Sequence, residues 1–175
     1  TPSPCASQLI AAMNPCQCGY FGHPPLQCTC RSGAVAKYLS KISGPLLDRM
    51  DIHVEVPPVE YKELSRSTPS ESSRSIRERV NKARLIQQQR FTGTGISCNA
   101  RITPATLHEF CRMTDDASRV LQMAFDRLKL SGRAYDRIVK VARTVADLDA
   151  EEIIGSPHIM EAIRYRTLDR EYWRN

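Results

Sequence analysis

Four cysteines crowd into fifteen positions as two pairs, Cys16-x-Cys18 and Cys28-x-Cys30, separated by a loop that carries Gly19, Gly22, Pro24 and Pro25. Thiolates converging from two turns suit a tetrahedral Zn2+ with every coordination position filled, which makes a structural site and not a catalytic one. The spacing within each pair is tighter than that of most zinc ribbons. Free thiols, disulfides, or a site in which His23 replaces one cysteine are the competing states. Cys5, Cys98 and Cys111 stand alone or among apolar residues and read as ordinary packed thiols.

Three further residues have side chains suited to phosphate chemistry. Asn14 directly follows the apolar run Gln8–Met13. A carboxamide at the C-terminal end of a strand lies where open α/β sheets bind ligands, and it can hold a nucleophilic water or a phosphate oxygen. The plainer reading of Asn14-Pro15 is a turn. Arg49 sits in Gly44-Pro45-Leu46-Leu47-Asp48-Arg49-Met50-Asp51, between two acids. Paired with either one it is a surface bridge worth about 0–1 kcal/mol. Directed at a phosphoryl group in transfer it is an arginine finger, worth about 10³–10⁵ in rate.

Arg133 opens the most amphipathic segment of the chain. At about 100° per residue, Ala134, Tyr135, Ile138, Val141, Ala142, Val145, Ala146 and Leu148 share one broad face. Arg133, Arg137, Lys140 and Thr144 gather opposite. Such a row is a solvated basic face, or the place from which a long cation on a packed helix senses the γ-phosphate of ATP.

The elements that must position these residues follow from periodicity and punctuation. Gln8–Met13 and the strictly alternating Asp51–Val56 read as a buried and a half-buried strand, with His53 on the second. Helical spacing covers 34–42 and 46–50. A serine-rich stretch over 65–75, with Pro69, reads as a linker, which places a domain boundary near residue 70. Beyond it helices are expected over 73–91, 103–111, 114–130, 133–148 and 156–166, opened by Thr103-Pro104, Thr114-Asp115 and Ser156-Pro157. Tyr165, Tyr172 and Trp173 are expected to pack the last helix. The 73–91 helix sets Ile76, Val80, Ala83 and Ile86 or Gln87 in register on one face, and carries Arg74, Arg77, Arg79, Lys82, Arg84 and Arg90 against Glu78 alone, a face suited to a nucleic-acid backbone or simply solvated. Among the histidines, His53, His108 and His158 have no partner at metal spacing.

Taken together, Ala11-Ala12-Met13-Asn14-Pro15-Cys16, Gly44 to Arg49, Asn99-Ala100-Arg101 and Arg133 to Asp147 resemble the magnesium-chelatase-like AAA+ family, most closely its ComM/YifB type. The likeness covers nearly the whole chain. It implies that Asn14 is sensor 1, Arg49 the arginine finger and Arg133 the sensor-2 arginine, with Arg137 a further nucleotide contact. It also implies ATP and Mg2+ as cofactors, a homo-oligomeric ring of about six subunits, and DNA as the polymer moved during recombination of imported strands. Cysteine pairs after sensor 1 are a feature of this type, which favours Zn2+ on Cys16, Cys18, Cys28 and Cys30. The expected fold is α+β and mainly α. The last part of a AAA+ α/β core spans 1–70, and an all-helical C-terminal lid or bundle spans 71–175.

The sequence departs from the family in three respects. No Gly-x-x-x-x-Gly-Lys-Ser/Thr string occurs to cradle phosphates, and no acidic Walker B strand precedes Asn14. The chain alone is therefore expected not to hydrolyse ATP. Pro4-Cys5-Ala6-Ser7 also lacks the aromatic strand entry the family leads one to expect.

Composition narrows the remaining classes. A formal charge of +6 and a pI near 9.1 fit an acidic partner without requiring one. No apolar run approaches the ~20 residues of a membrane span. No basic stretch leads into an apolar core at the start, so no signal peptide is expected, and Thr1-Pro2-Ser3-Pro4 reads as a cut from something longer. Seven cysteines, an odd number, point to a reducing cytoplasm. Two alternatives stand beside the motor: a magnesium chelatase subunit inserting Mg2+ into a porphyrin, and a zinc-stapled nucleic-acid-binding module with no motor role.

Overall fold

The computed structural model describes residues 8–22, 26–59, 61, 65 and 70–171, with side chains described as far as residue 166. The expectations for Thr1–Pro4, Pro4–Ser7, Cys5, His23, Pro69, Tyr172 and Trp173 lie outside the described residues.

The chain is mainly α. Its helices are α1 (Ala34–Leu39), α2 (Gly44–Arg49), α3 (Ser73–Arg90), α4 (Leu107–Phe110), α5 (Asp115–Leu128), α6 (Gly132–Leu148) and α7 (Ser156–Glu171), with 3-10 turns at Asn99–Arg101 and Pro104–Thr106. Helix starts coincide with side chains that satisfy otherwise orphaned N–H groups. Ser43 accepts from Leu46, Ser72 from Ser75, Thr114 from Ala117 and Ser131 from Ala134.

The core lies within the C-terminal helices. Ile138, Ala142 and Ala146 recur every four residues along α6 and meet Ala117 and Leu121 of α5 and Ile159 and Ala162 of α7. Phe91, Ile102, Leu107 and Cys111 close the cluster, with Phe91 edge-on to Phe110. Helix α6 ends in a Schellman arrangement. Glu151 N donates to Ala146 O at 2.8 Å and Ala150 N to Asp147 O at 3.2 Å, with Ala150 at φ +59° where glycine is usual. Among the described residues a single parallel bridge, Met113 with Ile154, ties the approach to α5 to the approach to α7.

Three expectations need correction. Neither Gln8–Met13 nor Asp51–Val56 forms a strand; both lack a ladder partner among the described residues. Their apolar side chains face solvent: Leu9 is 72% exposed, Ile10 85% and Val56 83%. A strand exists only when a neighbour takes up its N–H and C=O groups, and among the described residues neither run has a neighbouring strand. The alternation of the second run is seen in a different role, since His53 is half-buried and donates its backbone N–H to Tyr165 O at 2.9 Å. Helix α3 buries only Ala83 and Gln87, leaving Ile76 and Val80, expected on its core face, exposed. Its first half extends past the helices that pack on its second. No helix among the described residues is long and apolar enough to cross a membrane.

Candidate functional site

The cysteines come together. Cys16 Sγ lies 3.3 Å from Cys18 Sγ and 3.7 Å from Cys28 Sγ, Cys18 and Cys28 are 3.5 Å apart, and all four sulfurs, Cys30 included, fall within 4.8 Å of one another. A tetrahedron with Zn–S of about 2.3 Å has edges of about 3.8 Å, so the constellation fits a Zn2+ ion. The turn from Cys16 closes with Gly19 N donating to Cys16 O at 3.1 Å, and Gly19 takes φ +84°, where a side chain is strained. The protons are unevenly shared. A backbone N–H from Tyr20 holds the Cys18 thiol down to about 5. Cys28 accepts one from Cys30, yet desolvation and the neighbouring sulfurs push it up to about 12.

The arginine-bearing segments are built differently. Helix α2 carries Arg49 at its last residue, exposed, with Nη1 on the carbonyl of Pro45 one turn back at 2.7 Å. Neither flanking acid pairs with it. Asp48 accepts from Arg166 of α7 at 3.1 Å and lies 3.4 Å from the hydroxyl of Ser131. Asp51 pairs with Arg137 of α6. Ser131 caps α6, and Arg133 follows two residues later, exposed and without a hydrogen-bond or ion-pair partner among the described residues. The acids that might have neutralised Arg49 thus bind the helix of Arg133 and its neighbour. Asn14 is exposed, and no hydrogen bond joins it to either arginine. Arg137, expected at nucleotide, has its Nη1 on Asp51.

The broad face expected on α6 is buried at Ala134, Ile138, Ala142, Val145 and Ala146, while Leu148 is exposed. Missing from that expectation is a buried polar network. Asp147, fully buried, accepts from Arg143 Nε at 3.1 Å, from Asn99 Nδ2 at 2.7 Å and from both guanidinium nitrogens of Arg90. Arg143, 1% exposed, donates to the carbonyls of Glu151 and Glu152. Burial lowers its pKa from the ordinary guanidinium value, and Asp147 opposes that. Asn99 also takes its backbone N–H to Gln87 at 3.1 Å and donates to Thr144 at 3.1 Å. The only sequence signal was the i, i+4 spacing of Arg143 and Asp147 inside an apolar helix face.

The network changes the basic face of α3. Arg90 is consumed internally, Arg79 pairs with Glu71 and Arg74 with Glu78. Arg77 and Arg84, two turns apart on one face, stay exposed. Cys111 is buried, its thiol pushed up to about 11 by desolvation, as a packed cysteine should be. His158 Nδ1 accepts from Gly155 N at 2.9 Å, and its Nε2 lies 3.3 Å from Asp149, so it caps the start of α7. An open concavity of about 590 Å3 between α5 and α7, lined by Asp116, Arg119, Val120, Gln122, Met123 and Ser156, shares no residue with the arginine segments.

Comparison with known proteins adds the following. Residues 2–64 match a family model described as magnesium chelatase, subunit ChlI, and residues 70–166 one described as magnesium chelatase, subunit ChlI C-terminal. The chain is 37% identical over 168 residues to the uncharacterized protein YifB of Escherichia coli K12, covering 95% of this chain and 32% of that protein. The same figures hold for competence protein ComM of Haemophilus influenzae. Over 163 residues it is 34% identical to the uncharacterized protein Rv2897c of Mycobacterium tuberculosis, covering 93% of this chain and 32% of that one. The chain spans about a third of the length of these curated relatives.

Proposed function

From the premise that this chain belongs to the magnesium chelatase subunit ChlI family, we propose that it supplies the nucleotide-sensing arginines of a ring-forming AAA+ ATPase whose phosphate-binding loop lies in polypeptide outside this chain. Arg49 is the arginine finger toward a neighbouring subunit, Arg133 is sensor 2 and Asn14 is sensor 1. One observation carries the reading. Asp48 and Ser131 bring the end of α2 against the start of α6, so two unneutralised arginines, far apart in sequence, project from one junction. Bound ATP with Mg2+ supplies the phosphoryl group. The two guanidinium groups bind and orient it and stabilise charge developing on it.

In this reading residues 1–70 are the sensing end of a AAA+ core with its zinc knuckle, and 71–175 form the lid. Cys16, Cys18, Cys28 and Cys30 hold Zn2+ structurally, stiffening the loop between Asn14 and α1. DNA is the polymer acted on, as in remodelling or branch migration during transformation. The name of the Haemophilus relative, a competence protein, and the exposed Arg77 and Arg84 support this. The convergence of the four thiols also favours a second reading, a zinc-stapled nucleic-acid-binding module without a motor role.

Steady-state ATPase assays on the intact protein separate the two. Arg49→Ala is expected to lower kcat by about 10³-fold or more while nucleotide affinity changes little. Arg133→Ala should lower both. Undiminished turnover in Arg49→Ala removes the finger assignment.

A further inference from the structure

Helix α2 has six residues, far fewer than the ~12–15 at which an isolated helix becomes even marginally stable. Its direction, and with it the aim of Arg49, must come from tertiary contacts. Leu47 is buried, and the described polar contacts centre on the acid next to the arginine. Arg166, with a side chain only 3% exposed, donates through Nη2 to Asp48 Oδ1 at 3.1 Å and through Nη1 to the carbonyl of Met50. Its guanidinium therefore grips both neighbours of Arg49 at once. On the other side the Ser131 hydroxyl lies 3.4 and 3.5 Å from the two carboxylate oxygens of Asp48. Arg137 holds Asp51 beyond it. Positions 48, 50 and 51 are each tied to α7 or α6, and Arg49 alone is left to project.

We propose that Asp48 is a positioning residue that fastens the arginine-finger helix to α6 and α7, so that Arg49 and Arg133 meet nucleotide as one rigid pair. The inference rests on the reading of Arg49 as the finger. Asp48 does not touch nucleotide itself. It fixes α2 through a nearly buried guanidinium that moves with the packed C-terminal helices, so a rotation of those helices turns Arg49 with Arg133. Loss of an anchor of this kind acts through geometry, where a displacement of about 1 Å can cost ~10²-fold in rate.

The experiment is a set of variants in the intact protein, read by ATPase kinetics and thermal melting. Asp48→Ala is expected to lower kcat about 10- to 100-fold with KM for ATP within about threefold of wild type. Arg166→Ala, which also frees the Met50 carbonyl, should cost at least as much, and the loss in the double variant should fall well short of the product of the single losses, because both break the Asp48–Arg166 pair. Asp48→Asn, which keeps an acceptor for Arg166 and Ser131, should recover part of the loss. In an Arg49→Ala background, Asp48→Ala should add nothing, an outcome that general destabilisation does not give. The proposal is overturned if Arg49→Ala abolishes turnover while Asp48→Ala and Arg166→Ala keep wild-type kcat. It is equally overturned if the losses multiply in the double variant or track the fraction of unfolded protein. Normal turnover in Arg49→Ala itself defeats the finger reading first, and the two failures are thereby told apart.

Discussion

Asn99 donates its amide to the carboxylate of Asp147 at 2.7 Å, joining a 3-10 turn to the last turn of α6 across 48 residues. Around that contact Arg90 and Arg143 converge on the same carboxylate, which draws the end of α3 onto α6. Every charge in the group has an opposite charge and hydrogen bonds, the condition under which buried ions are tolerated.

Removing the shared acceptor should therefore be severe. Asp147→Ala leaves the Arg143 guanidinium buried without its carboxylate and is expected to cost about 3–5 kcal/mol. Urea unfolding followed by circular dichroism checks this. The triple replacement Arg90→Met, Arg143→Met, Asp147→Leu should cost clearly less than Asp147→Ala, since it leaves no uncompensated charge. Equal losses would mean the ions themselves are the source of stability.

The end of α6 offers a gain. Ala150 holds φ +59°, a conformation costing an L-residue about 1–2 kcal/mol relative to glycine. The strain relieved exceeds the added backbone entropy, so Ala150→Gly should raise the melting temperature by a few degrees (~0.5–1 kcal/mol). A lowered melting temperature would refute the Schellman assignment at this position.

The cysteine cluster makes a metal and pH prediction. Freshly purified protein should hold one zinc per chain by elemental analysis, and Cys18→Ser should lose it. At pH 7.5 Cys18, held to about 5, is already thiolate, whereas Cys28, held up to about 12, keeps its proton, as does the raised Cys30. Zinc binding to the reduced apoprotein should then release at least the protons of Cys28 and Cys30, visible as a buffer-dependent heat in calorimetry. As pH falls through about 5, Cys18 protonates and affinity should drop steeply. Metal-free protein with four reduced thiols would contradict the site.

Nucleic-acid binding should depend on only part of the basic helix. If Arg77 and Arg84 each neutralise one phosphate of duplex DNA, the double alanine variant should flatten the log–log salt dependence of affinity by about 1.8. Arg79→Ala, which removes a guanidinium already paired with Glu71, should change it much less. Equal effects from both would place the DNA elsewhere.

Much of the local structure was legible in the chain. Thr114 marks a helix start because a short hydroxyl satisfies a free N–H wherever it precedes a helix, and the four-residue recurrence on α6 marks a buried face. The paired cysteines suggested convergence because two C-x-C turns and one loop leave few other places for four thiols. Legibility failed for Gln8–Met13 and Asp51–Val56, whose apolar pattern describes a strand but cannot supply the neighbour it needs. It failed also for Arg90, counted on a solvated face until Asp147 drew it inward.

The sequence by itself thus determined where helices begin, which residues are apolar, and which side chains can bind metal or phosphate, because those properties are carried by each residue and its nearest neighbours. Only the tertiary structure decided which acid each arginine meets. Asp48 and Asp51 lie beside Arg49 in the chain, yet they pair with Arg166 and Arg137, 118 and 86 residues away. Coulomb attraction depends on distance in space, and packing of α6 and α7 against α2 sets that distance.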